Sequence, residues 1–333
     1  MPNFRVCTCA AALASVALGV SLGTTAVARA QAQAATPALG FAVERYYPSA
    51  PGAGWLVMDD LSMHGSVGGA ISVASGYAQR PLVVTDGQQH LAVVAEQAFA
   101  DIGAAVTYDR WRVYVNVTSP LVIEGQSGVV GGYKFTAPSV DPGKNIDIVS
   151  DARIGYDVRL MGHRGEPLRL GASAQLIIPN DVRANYATDG SFRAMLRVLF
   201  AGDMGQFAYA GHLGWHIRSL DDSPTPGSPQ GDEFLFGAAV GRAFSLGGDG
   251  SPSLVVGPEI YGETAIRSAF GTTTTGLEAL LSARAEGTRE QGAQLRLKLG
   301  AGGGLNPHFG APELRFVIGI EVFDRSAAAR PPG

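Results

Sequence analysis

Alternate residues of this chain differ in polarity over many consecutive stretches. In DIVSDARIGYDVRL, residues 147–160, the even positions include Ile148, Ile154, Val158 and Leu160, whereas the odd positions carry three aspartates and two arginines. The same alternation recurs over residues 168–178, 192–200, 207–218, 294–299 and 313–322. A period of two indicates β-strands with two unlike faces.

The alternation predicts an all-β chain of about twelve strands, with a range of about ten to fourteen. The predicted strands span residues 65–85, 91–107, 111–120, 146–161, 167–178, 191–203, 206–218, 232–246, 253–264, 275–286, 292–302 and 312–323. Short links on one side alternate with longer loops rich in Gly, Pro, Asp and Thr on the other. This arrangement is typical of an up-and-down antiparallel barrel. An even strand number predicts that both chain termini lie on the short-turn side.

The composition of the strands favours a closed transmembrane barrel over a soluble lipocalin-like barrel or sandwich. Lysine is scarce, and the segments reach the ~9–11 residues that a tilted strand needs to cross a bilayer. A closed barrel leaves no unpaired strand edge in lipid. Aromatic residues near the strand ends are consistent with girdles at the two membrane interfaces, and the candidates are Trp111, Tyr114, Phe192, Phe200, Phe207, Trp215, Phe234, Phe236, Tyr261, Phe316 and Phe323. A soluble fold remains the alternative.

The first thirty residues resemble an export signal. Arg5 is followed by an uncharged run to Val27 and then by Ala28-Arg29-Ala30, which predicts a signal peptide over 1–30 that is cleaved near Ala30. A retained membrane anchor is the alternative. We further predict a periplasmic segment, the barrel and a disordered tail, which span residues 31–54, 55–323 and 324–333. Residues 55–61 could form a short periplasmic strand, an inner plug or the first strand.

Cysteine and charge narrow the class of protein. Cys7 and Cys9 both lie in the predicted leader, so the exported chain has no disulfide scaffold and no thiolate metal site. The formal net charge of −4 argues against a general nucleic-acid binder. An exported chain of this kind fits the outer membrane of a Gram-negative bacterium.

Several segments carry a family resemblance. The stretches FAVERYYPSA and YAQRPLVV contribute Phe41, Arg45, Tyr46, Pro48, Tyr77, Arg80, Pro81 and Leu82, and DARIGYDVRLMG, GDEFLFGAAVG, VVGPEIYGET and GAGGGLNPHFGAPELRFVIGIEVF follow. In order and spacing they resemble the amino-terminal outer-membrane barrel of myxobacterial-type OmpA-like proteins. The resemblance covers most of residues 41–323 and implies a porin-like or structural role. Such proteins continue into a peptidoglycan-binding domain, whereas this sequence stops at DRSAAARPPG, so we expect no peptidoglycan anchoring.

Charged residues concentrate on the predicted inner face. Arginine clusters on the strands over 146–218 and acid on those over 232–286, and Arg112, Arg284 and Glu313 share the inward parity. The residues predicted to line a pore are Arg153, Arg159, Arg169, Arg193, Arg197, His212, His216, Arg218, Asp151, Asp157, Glu233, Glu259, Glu263, Glu278, Arg296, Lys298 and Arg315. They could form two charged walls of a water-filled channel, or a salt-bridge network that closes a narrow lumen.

The sequence offers little support for a metal site, a cofactor site or a catalytic site. His212 and His216 are four residues apart on a strand, about 13 Å, too far to share one ion, so we predict no metal and no cofactor. An outer-wall hydrolase would need an outward histidine, which the strands lack. The sequence therefore predicts a porin-like passive channel for small solutes or ions. The alternative is a closed structural barrel with surface interaction loops. The expected partners are outer-membrane lipid and the barrel-assembly machinery.

Overall fold

Twelve antiparallel strands pair in chain order and close into a barrel in the computed structural model. The structure describes residues 35–63, 67–141, 151–223, 225, 227–247, 253–287 and 292–325. The barrel strands are β2 (Gly68–Asp86), β3 (Gln89–Tyr108), β4 (Trp111–Glu124), β8 (Asp151–Met161), β9 (Arg169–Pro179), β10 (Arg193–Met204), β11 (Phe207–Arg218), β12 (Glu233–Ser245), β13 (Ser253–Ala265), β14 (Thr275–Glu286), β15 (Gly292–Asn306) and β16 (Leu314–Arg325). Pairing of β16 with β2 closes the sheet. The predicted fold class and strand number are confirmed.

Besides the twelve barrel strands, the described residues form four short strands and two 3-10 turns. The strands are β1 (Thr36–Pro37), β5 (Gly128–Val130), β6 (Tyr133–Phe135) and β7 (Ser139–Val140), and the 3-10 turns are Arg183–Asn185 and Ile266–Ser268. We call the end of the barrel with the described connecting residues 125–141, 180–192, 219–223, 225, 227–232, 266–274 and 307–313 the long-loop end. The opposite end, with the described connecting residues 109–110, 162–168, 205–206, 246–247 and 287, is the short-turn end.

The polarity pattern of the sequence sorts the two faces of the wall. In β8, Asp151, Arg153 and Asp157 are buried, whereas Ile154 and Leu160 are exposed on the outside. Successive side chains of a strand point to opposite faces, so every second residue of a wall strand faces the lumen. Ile148, which the alternation also predicts on the outer face, lies outside the described residues.

Three of the predicted girdle aromatics lie on the inner face. Tyr114, Tyr261 and Phe323 are buried, since each shares its parity with inward charged residues. The Tyr114 ring fills the space above Gly155, where an added Cβ would lie 2.0 Å from the ring. Other aromatics do lie on the outer face near the strand ends, and among them Trp111 stacks on Tyr156 with ring centroids 5.2 Å apart.

The first hairpin departs from the predicted alternation of short turns and long loops. β2 and β3 contain 19 and 20 residues and are joined at the long-loop end by a tight turn at Gly87, whose φ is +59°. Strands of this length extend well beyond the ~9–11 residues that cross a bilayer. The hairpin therefore projects past the barrel wall.

The projecting hairpin and the long loops bury a hydrophobic cluster of their own, which we call the loop cap. Its buried members are Phe41, Val43, Leu82, Val84, Leu91, Val93, Val94, Ile123, Val130, Phe135, Val140, Tyr186, Leu220 and Phe309. Each such side chain contributes about 1.5–3 kcal/mol when it is withdrawn from water. The cap therefore holds the loops against one another over the mouth of the barrel.

Residues 40–63, which we call the inner segment, lie inside the barrel. Side chains of Phe41, Trp55, Met58 and Leu61 are buried, and wall residues from β4 to β16 contact the segment. The expected division placed residues 31–54 in the periplasm and began the barrel at 55. In the structure the wall begins at Gly68 and residues 40–63 lie in the lumen, so residues 55–61 are part of an inner plug. No helix among the described residues is long and apolar enough to cross a membrane.

The outer face yields a prediction about membrane exposure. Val198, near the middle of β10, is 60% exposed on that face. Val198→Arg should lower the free energy of unfolding by about 2–4 kcal/mol, the cost of a cation at the bilayer midplane. Urea unfolding in lipid vesicles measures the difference.

The matched control is Thr272→Arg, which places the same side chain in the exposed connection between β13 and β14 and should leave the unfolding free energy nearly unchanged. Equal stability of the two variants would show that the outer face does not meet lipid.

Candidate functional site

Every residue predicted to line a pore is buried on the inner face of the barrel. The side chains contact the inner segment and one another. Arg112, predicted with the same parity, is also buried, and Arg284 lies with its Cζ 4.7 Å from the ring centroid of Trp55 in the inner segment. Glu313 differs: it is exposed at the long-loop end, where it pairs with Arg80 and His308. It precedes β16, so strand parity does not set its direction.

Asp59 joins the inner segment to the wall near the middle of the lumen. Its carboxylate lies 3.2 Å from Nη2 of Arg112 and 2.9 Å from Nη2 of Arg197. It also accepts the backbone N–H of Ala50 at 2.9 Å. Asp157 pairs with Arg112 from the wall side. Buried charges of both signs are thus compensated, as burial away from water requires.

Glu259 binds the inner segment through its backbone. Its two carboxylate oxygens accept the N–H groups of Leu56 and Val57, each at 2.9 Å, and the side chain is fully buried. Glu321 accepts the N–H of Gly52 at 2.5 Å in the same way. Because a buried backbone N–H without a partner is costly, these carboxylates replace the pairing that a helix or sheet would supply.

Cationic wall residues satisfy the carbonyl groups of the inner segment. Lys298 donates to the carbonyls of Ala53 at 2.6 Å and of Trp55 at 3.1 Å, and Arg296 donates to Ala53 at 3.0 Å. Further donors are Arg153 to Pro48, Arg169 to Asp60 and Arg159 to Met63. Side chains predicted to line a water path therefore hold the segment that occupies it.

A second charged network lies toward the long-loop end. Arg45 of the inner segment pairs with Glu233 at 2.9 Å, and Arg218 bridges Glu233 at 2.8 Å and Asp189 at 2.7 Å. Asp189 also accepts the N–H of Ala42 at 2.8 Å. Burial acts to raise the pKa of the Asp189 carboxyl, but the guanidinium groups of Arg218 and Arg193 hold that pKa well below its ordinary value.

His216, Glu233 and Glu263 offer ligand atoms within 4.8 Å of one another. Two guanidinium groups already face the oxygens that an ion would use. Arg218 lies 2.8 Å from Oε2 of Glu233, and Nε of Arg45 lies 3.6 Å from Oε2 of Glu263. His216 contacts the same Glu263 oxygen at 3.1 Å. These neighbours make the cluster an ion-pair network and disfavour a bound cation.

Two cavities beside the inner segment are small. One of about 120 Å³ lies at the short-turn end between Asp60, Arg169, Arg284 and Arg296. Another of about 20 Å³ lies near Tyr47, His212 and Glu263. The larger is lined by charged side chains and is large enough to hold water.

Sequence reasoning missed the acidic and basic groups that the inner segment supplies. Glu44, Arg45, Asp59 and Asp60 were assigned no site role, although two adjacent acids in the apolar stretch WLVMDDL were a usable signal. A water-exposed segment does not need such a stretch. Asp189 in a loop and Asp101 in β3 were also missed, and both pair with inward arginines.

Comparison with known proteins supports the fold. No family model and no curated protein matches the sequence. The crystal structure of the COG4313 outer membrane channel from Pseudomonas putida F1 is similar over 80% of this chain and 97% of that one, with 14% identity and a TM-score of 0.51. A bacterial polysaccharide outer membrane secretin shows 9% identity over 77% of this chain and 98% of its own, with a TM-score of 0.39. A loop L8 deletion mutant of OmpT, an outer membrane protein of Vibrio cholerae, shows 12% identity over 78% and 98%, with a TM-score of 0.30.

The chain has an outer-membrane type of β-barrel fold. The similarity to the COG4313 channel, at 14% identity, supports the fold alone. Membership of the OmpA-like family, which the sequence motifs resemble, stays a prediction.

Asp189 allows a prediction about acid stability. Its pKa is lower in the folded than in the unfolded chain, where it is about 3.9. The carboxylate therefore stabilises the fold above that pH, and the contribution is lost as the pH falls through the folded pKa. Asp189→Asn should lower the unfolding free energy at pH 7 by about 3 kcal/mol, since it leaves a buried guanidinium short of charge.

Denaturant titrations at pH 7 and at acid pH test this expectation. The wild-type chain should lose more stability on acidification than Asp189→Asn does. Asp86→Asn, at the exposed tip of the first hairpin, is the control and should follow the wild type. Equal acid sensitivity of the Asp189 variant and the wild type would contradict the assignment.

Proposed function

We propose that this protein is an outer-membrane channel whose barrel is held closed by its own inner segment and conducts ions or small solutes when that segment shifts. The proposal is supported chiefly by the polar side chains of the wall that hold the inner segment in place. Glu259, Arg197 and Lys298 of the wall bind it through hydrogen bonds and ion pairs.

A polar interior favours a channel over a permanently filled barrel. Buried ion pairs are often no more stabilising than apolar packing of the same volume, so an interior needed only for rigidity could be apolar. The charged wall would instead be hydrated if the inner segment moved, because water replaces each lost partner. Both states of the barrel can then satisfy their polar groups.

The proposal modifies the expectation of passive flow through an open lumen. In the structure, the contacts of Arg112, Glu259 and Arg296 with the inner segment occupy the middle and the short-turn side of the interior. The loop cap covers the long-loop end. Movement of solutes therefore depends on displacement of the segment, and the channel is gated.

Location in the outer membrane is part of the proposal. It is supported by the export signal predicted over 1–30, the apolar outer face of the strands and the likeness of the fold to an outer membrane channel. Lipid and the barrel-assembly machinery are the partners that such a location implies. The proposed role is non-enzymatic, and the buried His212 and His216 face the lumen.

A closed structural barrel is the second candidate. The loop cap favours it, because fourteen buried apolar residues give the outer loops a fixed surface on which another protein could dock. Under this alternative the inner segment is a permanent core.

Conductance of variants separates the two candidates. In Glu259→Gln an NH2 group, which only donates, replaces one of the two oxygens that accept the N–H groups of Leu56 and Val57, which removes about 2 kcal/mol from the closed state. In planar bilayers the open-to-closed ratio should rise about 30-fold over the wild type, since 1.4 kcal/mol corresponds to a factor of ten.

Asp101→Asn is the matched control, because this buried wall acid is bonded to the wall residues Asn116, Thr118 and Arg153, and the bond from Arg153 to the carbonyl of Pro48 does not need the charge of Asp101. It should change the conductance far less. Heat-modifiable migration on gels verifies that each variant is folded. If folded Glu259→Gln is as silent as the wild type, the barrel is structural and the channel proposal fails.

A further inference from the structure

The inner segment has a direction that follows from its contacts. Its amino-terminal approach is held at the long-loop end. Thr36 donates its N–H to the carbonyl of Gly132 and Ala38 donates to Lys134, both at 2.9 Å, so that β1 pairs in parallel with β6. This partner lies in the connection between β4 and β8.

The following residues remain at that end. The carbonyl of Gly40 accepts from Arg183 at 2.5 Å, and Val43 donates to the carbonyl of Tyr186 at 3.1 Å. Both partners belong to the connection between β9 and β10. Arg45 then reaches Glu233, the first residue of β12.

The last residues of the inner segment are held at the short-turn end. The carbonyl of Asp60 accepts from Arg169, the first residue of β9, at 3.1 Å. The carbonyl of Met63 accepts from Arg159, close to the end of β8. Gly68 then begins β2 at this end. A segment that entered and left through one mouth would lack one of these two sets of contacts.

The sequence predicted both chain termini on the short-turn side. The carboxyl-terminal strand β16 does end there. The described chain, however, starts at the long-loop end and crosses the whole lumen before the wall begins. The strand count could not reveal this crossing, because parity fixes only the ends of the wall.

We propose that the protein carries its own amino-terminal region through its barrel and displays residues 35–39 on the external face of the outer membrane. This inference rests on the proposed outer-membrane location, in which short turns face the periplasm and long loops face outward. Thr36, Pro37 and Leu39 are exposed in the structure, so the displayed stretch is available to a reagent or a partner.

The threading constrains assembly. A closed barrel has no gap through which a chain could enter sideways, and every wall strand is paired to two neighbours. The segment therefore has to be in place when β2 pairs with β16, or pass lengthwise through the finished lumen. Display at the surface is then a product of folding.

Single-cysteine labelling in intact Gram-negative cells tests the display. Leu39→Cys reports on the amino-terminal side, and Leu39 is 54% exposed. Ala269→Cys marks the long-loop end, in the exposed connection after β13. His163→Cys marks the short-turn end, where the histidine side chain is 79% exposed. The probe is a membrane-impermeant biotin maleimide, and the unsubstituted chain gives the background.

We expect Leu39→Cys and Ala269→Cys to label to the same extent in intact cells as after lysis, and His163→Cys to label only after lysis. Labelling of Leu39→Cys only after lysis, with Ala269→Cys labelled in intact cells, would overturn the display and leave the outer-membrane location standing. Failure of Ala269→Cys to label in intact cells, with the chain absent from the outer-membrane fraction, would remove the proposed location and the display together.

Discussion

The fold depends on hydrogen bonding between an irregular chain segment and the charged wall that surrounds it. Residues 40–63 include neither helix nor strand, so their backbone groups need partners from elsewhere. Glu259 and Glu321 accept N–H groups, and Arg296 and Lys298 donate to carbonyls. Without these side chains the segment would leave unpaired polar groups in a closed space. Without the segment, Glu321 would still pair with Arg296 and Lys298, but Glu259 would lose the two N–H groups that it accepts.

This mutual dependence explains why so many ionised groups lie inside a small barrel. Each is expensive to bury alone and is tolerated because opposite charge and backbone dipoles surround it. In the proposed channel, water would solvate the wall when the segment leaves. Closure and opening would then be two ways to satisfy one set of polar groups. The loop cap adds an apolar closure at the long-loop end. In this cap Phe41 stacks on Phe309, with ring centroids 6.3 Å apart.

Most of the wall could be predicted from the sequence, because a period of two leaves a strong pattern when one face is apolar and the other charged. Arg153, Arg197 and Arg315 were assigned to the inside from parity alone, and all are buried. The inner segment could not be placed in this way, because WLVMDDL has no periodicity and its wall partners lie from 53 to 243 residues away in the sequence. Those distant contacts decide whether the charged side chains of the wall face water or the inner segment. The inward direction of Tyr114 was missed because an aromatic near a strand end suggests a membrane girdle, although Tyr114 shares its parity with the inward Arg112.

Hydrogen–deuterium exchange of the folded protein in lipid nanodiscs tests the central claim most directly. The claim is that residues 50–60 are held inside the barrel by the wall. We predict that the peptide containing the amides of Leu56 and Val57 exchanges as slowly as peptides from β12. Complete exchange of that peptide at the first time point, while β12 stays protected, would show that the segment does not occupy the lumen and would contradict the account.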